Sequence, residues 1–196
     1  MRRAVVTLLL AGLVSVPAFA ALKAGDAAPD FSARASMAGK EFRYSLKDAL
    51  KKGPVVVYFY PSAFTSGCNV QAHTFSENKE RFDLAGATIV GVSRDSIERL
   101  NEFSADPQYC AGKIAVASDP PGTIAASYDL KTLTLPPGLK DTRGVAIDHE
   151  FTERTTFIVT PDLKVAATLS TNDDKITPAQ HVDRALAVVQ QLAARR

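Results

Sequence analysis

The sequence predicts an α/β domain with a central mixed β-sheet flanked by helices. Three observations carry this prediction. A continuous β-branched and aromatic run at 54–60 reads as a strand buried on both faces, and 87–93 and 113–120 read as a second and a third strand. Segments of helical periodicity alternate with them. The pair "ERTTFIVTP" and "LKVAATLS" then reads as a closing hairpin before a last helix. In such a sheet, sites gather at the carboxyl ends of the parallel strands.

Each element has its own signal. "GDAAPDF" (25–31) is rich in turn residues, and "EFRYSLKDAL" (41–50) alternates before turning polar. "PVVVYFY" (54–60) is the first buried strand, followed by the loop Pro61–Gly67. A helix is expected from about Cys68 to Leu84, because Cys68, Ala72, Phe75 and Phe82 share one face. Cys68 then lies in its first turn, toward the core. "ATIVGVS" (87–93) is the second strand, and Asp95-x-x-Glu98 reads as a capping box opening a helix along Ile97, Leu100 and Phe103.

"KIAVASDP" (113–120) is the third strand and "GTIAASYDL" a short helix. Residues 131–150 form a connection long enough to be a lid, an interface or a small hairpin. Thr160-Pro161-Asp162 turns the closing hairpin. Thr177-Pro178-x-Gln180 supplies an N-cap, a proline at the first helical position and a capping-box glutamine. Val182, Leu186, Val189 and Leu192 give that helix its buried stripe.

With 196 residues and 46% hydrophobic content, one domain with a real core is expected, spanning 21–196. Residues 1–20 read as a cleavable signal peptide. Arg2 and Arg3 precede a thirteen-residue apolar run too short to span a bilayer, and Ala18-x-Ala20 is a cleavage pattern. The expected location is an exported one, a bacterial periplasm, with no stable membrane association after cleavage. Removing the two arginines takes the net charge from +2 to 0, so the basic balance belongs to the signal. No Lys/Arg run interleaves with aromatics, and nucleic-acid binding is set aside.

Two cysteines in an oxidising compartment ordinarily read as one structural disulfide, Cys68–Cys110. The surroundings of Cys68 point elsewhere. Redox loops of this shape usually hold C-x-x-C, but Thr65 stands where the first cysteine would be. A thiol at a helix start faces unpaired N–H groups, which favour the thiolate nucleophile. The Thr65 hydroxyl can donate to one group and accept from another, which suits holding a peroxide oxygen. Pro61 stiffens the loop. His73, His149 and His181 are scattered, and the last two read as surface residues. No phosphate loop or metal-like spacing is present, and Ala72 rules out C-x-x-x-C, so no cofactor is expected.

Pro61-x-x-x-Thr65-x-x-Cys68 resembles the P-x-x-x-T-x-x-C signature of peroxiredoxins. "FYPSAFTSGCNVQAHTFSE" is similar to the peroxiredoxin Q group, also called bacterioferritin comigratory proteins, as are "GDAAPDF", "IVGVS", "ASDPPGTIAASYDL" and "RTTFIVTPDLKV" in the same order. The resemblance covers most of 22–170 and implies a thioredoxin-like fold and a thiol peroxidase. It implies that Cys68 is the peroxidatic cysteine, that Thr65 orients the peroxide, and that Pro61 shapes the pocket. It also implies that Arg154 lowers the thiol pKa and stabilises the displaced oxygen; without the motif, Arg154 would read as a surface ion-pairing residue.

The best-known members carry a resolving cysteine five residues after the peroxidatic one, where this chain has His73. Other members carry it near Cys110. The resemblance therefore implies an intramolecular Cys68–Cys110 disulfide, formed when Cys110 attacks the sulfenic acid. A one-cysteine mechanism and an inert structural bridge in a binding or exchange protein stay open beside it. The implied partners are a peroxide substrate and a thioredoxin-like or other dithiol reductant, with the chain a monomer or homodimer.

Overall fold

A computed structural model describes residues 21–195, and the residues expected to form a signal peptide lie outside them. β1 (Ser32–Met37) and β2 (Lys40–Ser45) form an antiparallel hairpin. Ser45 caps the short α1 (Leu46–Leu50), its hydroxyl accepting from the Asp48 amide. The run from 54 becomes β3 (Val55–Phe59), buried on both faces as its composition predicts.

The helix expected over 68–84 is two helices, α2 (Ser66–Glu77) and α3 (Lys79–Leu84). Asn78 separates them. Its side-chain amide donates to the Thr74 carbonyl at 2.9 Å, and its carboxamide oxygen accepts from Arg81 Nη1 at 2.8 Å. An asparagine that bonds the preceding turn with its side chain competes with helix continuation. Phe75 in α2 and Phe82 in α3 still bury in the same core, ring centroids 5.7 Å apart.

β4 (Thr88–Ser93) pairs parallel with β3. The next helix, α4 (Ile97–Ala105), is capped by Ser96, whose hydroxyl accepts from the Arg99 amide. The expected Asp95–Glu98 capping box is therefore not formed. Asp95 is fully buried and turns its carboxylate inward instead. β5 (Ala115–Ser118) and α5 (Thr123–Ser127) follow. The long connection is closed by a small antiparallel pairing, β6 (Thr132–Leu133) with β7 (Phe151–Thr152), and by a bridge between Lys140 and Ala146. β8 (Thr155–Thr160) and β9 (Lys164–Ser170) make the closing hairpin. A single turn, α6 (Thr171–Asp174), leads to α7 (Pro178–Ala194), which begins with the complete Thr177–Gln180 capping box.

The seven-stranded sheet has the order β2-β1-β5-β4-β3-β8-β9. β3, β4 and β5 are parallel, and the outer strands run antiparallel to their neighbours. Strand alternation splits the core into two layers. Val56, Tyr58, Ile89, Val116 and Ile158 face α2, α3, α4 and α7. Val55, Val57, Phe59, Val90 and Phe157 face α1 and α5. Gly91 on β4 lies beside Tyr58, and a Cβ there would stand 2.5 Å from that ring, so only glycine fits. Among the described residues, no helix is long and apolar enough to cross a membrane.

Candidate active site

The carboxyl end of β3 runs through Tyr60 and Pro61 into the loop that starts α2. Thr65 occupies the N-cap with extended backbone. Its hydroxyl does not cap the helix; it donates to the Ser62 carbonyl at 2.9 Å, turning back across the loop. The first-turn amides of α2 are thus left without a side-chain acceptor. Cys68 sits in that first turn, 2% exposed.

Arg154, immediately before β8, reaches this sulfur. Its Nη2 lies 3.1 Å from Cys68 Sγ, and its Nη1 donates to Gln71 Oε1. One face of the guanidinium fork holds the sulfur while the other is fixed by a side chain of the same helix. Residues 68, 71 and 154 are thereby locked in one geometry. Gly67 leaves room for it: a Cβ there would come 3.3 Å from Arg154 Nη2 and 3.4 Å from Pro178 Cγ. Gln71 and Gly67 were not singled out in the sequence. Their signal is spacing, one residue before Cys68 and one helical step after it.

The loop is held from behind by a charged cluster. Buried Asp95 accepts from the Ala63 amide at 2.7 Å, the Ser62 hydroxyl at 2.8 Å and the Ser93 hydroxyl at 2.7 Å. Arg99 donates to Asp95 at 2.9 Å, to the Ala63 carbonyl at 2.9 Å and to Asp141 at 2.8 Å. Burial opposes charge on Asp95, but bonds from His149, Ala63 and Ser93 hold its carboxyl below the usual carboxylate range. The 131–150 segment closes over the same loop. Thr142 donates to the Phe64 carbonyl through both its amide, at 2.9 Å, and its hydroxyl, at 2.7 Å. Arg143 stacks 3.3 Å above the Phe64 ring.

Two histidines expected at the surface are not there. The His149 side chain is 11% exposed, with Nε2 2.9 Å from Asp95. His181 is fully buried between the Thr156 and Thr171 hydroxyls, at 3.0 and 2.9 Å. Burial first, and then the nearby Arg154, push its pKa down to about 4. Both stand in polar stretches, and only tertiary packing buries them. His73, by contrast, is half exposed and pairs with Glu77 one turn on at 3.3 Å.

Cys110 is not beside the sulfur in a bond: both cysteines are free. Cys110 is fully buried in a turn after α4, where burial, with Asp106 adding to it, pushes its thiol far up. Its neighbour Tyr109 packs on Phe103 and Phe64, at 5.4 and 5.6 Å between centroids. A surface cleft lined by Lys47, Leu50, Thr160 and Leu163 lies at the opposite end of β3 from Cys68.

A family model described as the AhpC/TSA family matches residues 24–168. A putative peroxiredoxin of Mycobacterium tuberculosis strain H37Rv is 30% identical over 171 residues, 87% of this chain and 98% of that protein. Peroxiredoxin Bcp of Escherichia coli K12 is 41% identical over 83 residues, 42% of this chain and 51% of its own length. Among solved structures, peroxidoxin BcpB of M. tuberculosis aligns with a TM-score of 0.70 at 28% identity, covering 87% of this chain and 97% of that one. The bacterioferritin comigratory protein of Xanthomonas campestris, studied for alkyl peroxide reduction, aligns at 0.65 and 27%, covering 83% and 92%. The thioredoxin-like fold is thus that of these neighbours, and the chain belongs to the AhpC/TSA family, as a peroxiredoxin of the Q and Bcp kind.

Proposed function

We propose that this thiol peroxidase uses Cys68 as its peroxidatic nucleophile. The observation that carries the assignment is the Arg154 guanidinium 3.1 Å from Cys68 Sγ, held in place by Gln71. The thiolate attacks the nearer oxygen of a hydroperoxide. An S–O bond forms and the O–O bond breaks, so sulfur is oxidised to a sulfenic acid. The other oxygen leaves with a proton as water or an alcohol. Arg154 offers fixed donors to the charge on sulfur and on the departing oxygen. With its proton turned to the Ser62 carbonyl, the Thr65 hydroxyl oxygen is left to accept a hydrogen bond from the peroxide, and Pro61 keeps the loop rigid beside it.

Cys110 completes the cycle in this reading. Its sulfur attacks the sulfenic acid, a disulfide forms and water leaves; a dithiol reductant then returns two electrons. Both thiols are buried, so the α2 turn and the Cys110 turn must open first. The family match and the alkyl peroxide reduction studied in the Xanthomonas campestris neighbour favour hydrogen peroxide and organic hydroperoxides as substrates. The apolar run and Ala18-x-Ala20 favour cleavage after residue 20 and a periplasmic location, which the mass of the exported protein checks.

The test is direct. Cys68→Ser abolishes peroxide consumption with a dithiol; turnover surviving that change rejects the assignment. Cys110→Ser leaves one sulfenic acid, trapped by a dimedone probe, and no intramolecular disulfide by mass spectrometry. A disulfide-free thiol count in wild-type protein after one equivalent of peroxide would instead favour a one-cysteine cycle.

A further inference from the structure

His149 stands nine-tenths buried against the loop that carries Thr65, in a place the peroxidase chemistry does not use. Its ring nitrogens have three polar neighbours. Nδ1 lies 2.9 Å from the Glu150 carbonyl oxygen, and Nε2 lies 2.9 Å from Asp95 Oδ1 and 3.3 Å from the Ser62 hydroxyl, which gives its proton to the same Asp95 oxygen. The nearer two, a carbonyl and a carboxylate oxygen, only accept, an arrangement that suits a ring protonated on both nitrogens. The charges around it agree. Asp95 faces it from the β4–α4 loop, and Arg99 of α4 binds the same carboxylate oxygen. On its own segment stand Asp148 and Glu150, the latter paired with Arg94 at 2.9 Å, and the Phe151 ring. Burial works against the ring's charge; Asp95, the Glu150 carbonyl and Asp148 overcome it and hold the proton above the usual histidine range.

We propose that protonated His149 is a positioning residue that sets the Thr65 hydroxyl for peroxide, acting through Asp95 and Ser62. The links are contiguous. The Ser62 hydroxyl donates to Asp95 Oδ1 at 2.8 Å and stands 3.3 Å from His149 Nε2. The Ser62 carbonyl receives the Thr65 hydroxyl. When the ring loses its charge, its hold on Asp95 weakens and the carboxylate shifts toward Arg99. The Ala63 amide, which donates to Asp95 Oδ2 at 2.7 Å and belongs to the same peptide unit as the Ser62 carbonyl, shifts with it, and so does the acceptor of the Thr65 hydroxyl. The imidazolium form keeps Thr65 in place, and the neutral form lets it move. A raised folded-state value means that this hold is complete at acidic pH and is lost as pH rises through it.

This inference rests on the role proposed for Thr65, and its test separates the two. The rate of Cys68 oxidation by hydrogen peroxide is measured from about pH 5.5 to about pH 9 and divided by its rate of alkylation by iodoacetamide, which needs the sulfur but not the hydroxyl. The ratio falls about fivefold across the His149 titration in the wild type. His149→Gln keeps a donor toward Asp95 that does not titrate, and its ratio stays level. In parallel, NMR of the reduced protein follows the His149 ring and the Thr65 amide. They shift with one midpoint, and Asp95→Asn, which leaves the ring no carboxylate to hold, removes the Thr65 response while His149 still titrates. A ratio with the same pH profile in wild type and His149→Gln, or a Thr65 amide that ignores His149, overturns the inference. Wild-type protein that does not react with peroxide overturns the peroxidase assignment instead, and the Thr65 amide still decides the coupling.

Discussion

Replacing Arg154 by leucine removes two things at once: the donor 3.1 Å from the Cys68 sulfur and the clamp on Gln71. A hydrogen bond to a charged partner contributes about 1.5–3 kcal/mol, and losing a fixed donor to developing charge costs about 10²–10³ in rate. Both estimates act on the same group, so they overlap rather than add. We expect the second-order rate constant with hydrogen peroxide to fall by about 10². Arg154→Lys keeps the charge but has no fork. A single ammonium serves either sulfur or Gln71, so a loss of about tenfold is expected, between the other two. Stopped-flow tyrosine fluorescence reads the oxidation, since the chain has no tryptophan. Circular dichroism checks that the fold survives, and the buried Gln71 amide nitrogen, already without a partner, makes that control necessary. If Arg154→Leu reacts within about threefold of wild type, the guanidinium is not acting on the sulfur and the reasoning fails.

Two further outcomes follow from the same site. Gly67→Ala adds a helix-favouring residue in the first turn of α2, worth about 0.5–1 kcal/mol in denaturant melts. Its Cβ pushes the flexible end of Arg154 by a few tenths of an ångström, and peroxide reactivity drops severalfold; unchanged reactivity contradicts the close approach at 3.3 Å. His181 is held neutral, its value depressed from 6.5 to about 4 by burial and then by Arg154. The unfolded chain therefore binds a proton that the folded one refuses. That stability is complete above about pH 6.5 and is lost as pH falls toward about 4, about 3 kcal/mol in all. His181→Gln flattens this part of the stability curve, and an identical acid slope in the variant would refute the assignment.

The fold was legible where one physical rule acts alone. A run such as "VVVYF" has few ways to bury itself except as an inner strand, and Thr177-Pro178-x-Gln180 formed the cap its chemistry dictates. It was less legible where two local rules compete. Asp95-x-x-Glu98 and Ser96 are neighbouring caps in the same few residues, and tertiary demand decided: the loop amide of Ala63 needed the carboxylate. The helix break at Asn78 rests on a side-chain bond that helical periodicity does not weigh. In the site, the loop and its sulfur were readable because they are contiguous. The signature's resemblance to a known family pointed to Arg154. The support behind them comes from 36 to 87 residues away in the chain, through Arg99 and His149, where single polar residues carry no pattern.

Phe64 sits in the left-handed region at φ 61°, a conformation that costs a non-glycine residue about 1–2 kcal/mol. Its ring is pinned between Arg143, Phe103 and Tyr109. Four residues on is Cys68, and next to Tyr109 is Cys110. The two thiol-bearing segments therefore share one keystone. In the proposed cycle, releasing the ring would relax the strained loop and uncover the Cys110 turn together, so opening is expected as one event rather than two rare ones in sequence. Amide exchange reports it: residues 64–69 and 109–113 open with a single free energy, and two separate values would show independent hinges.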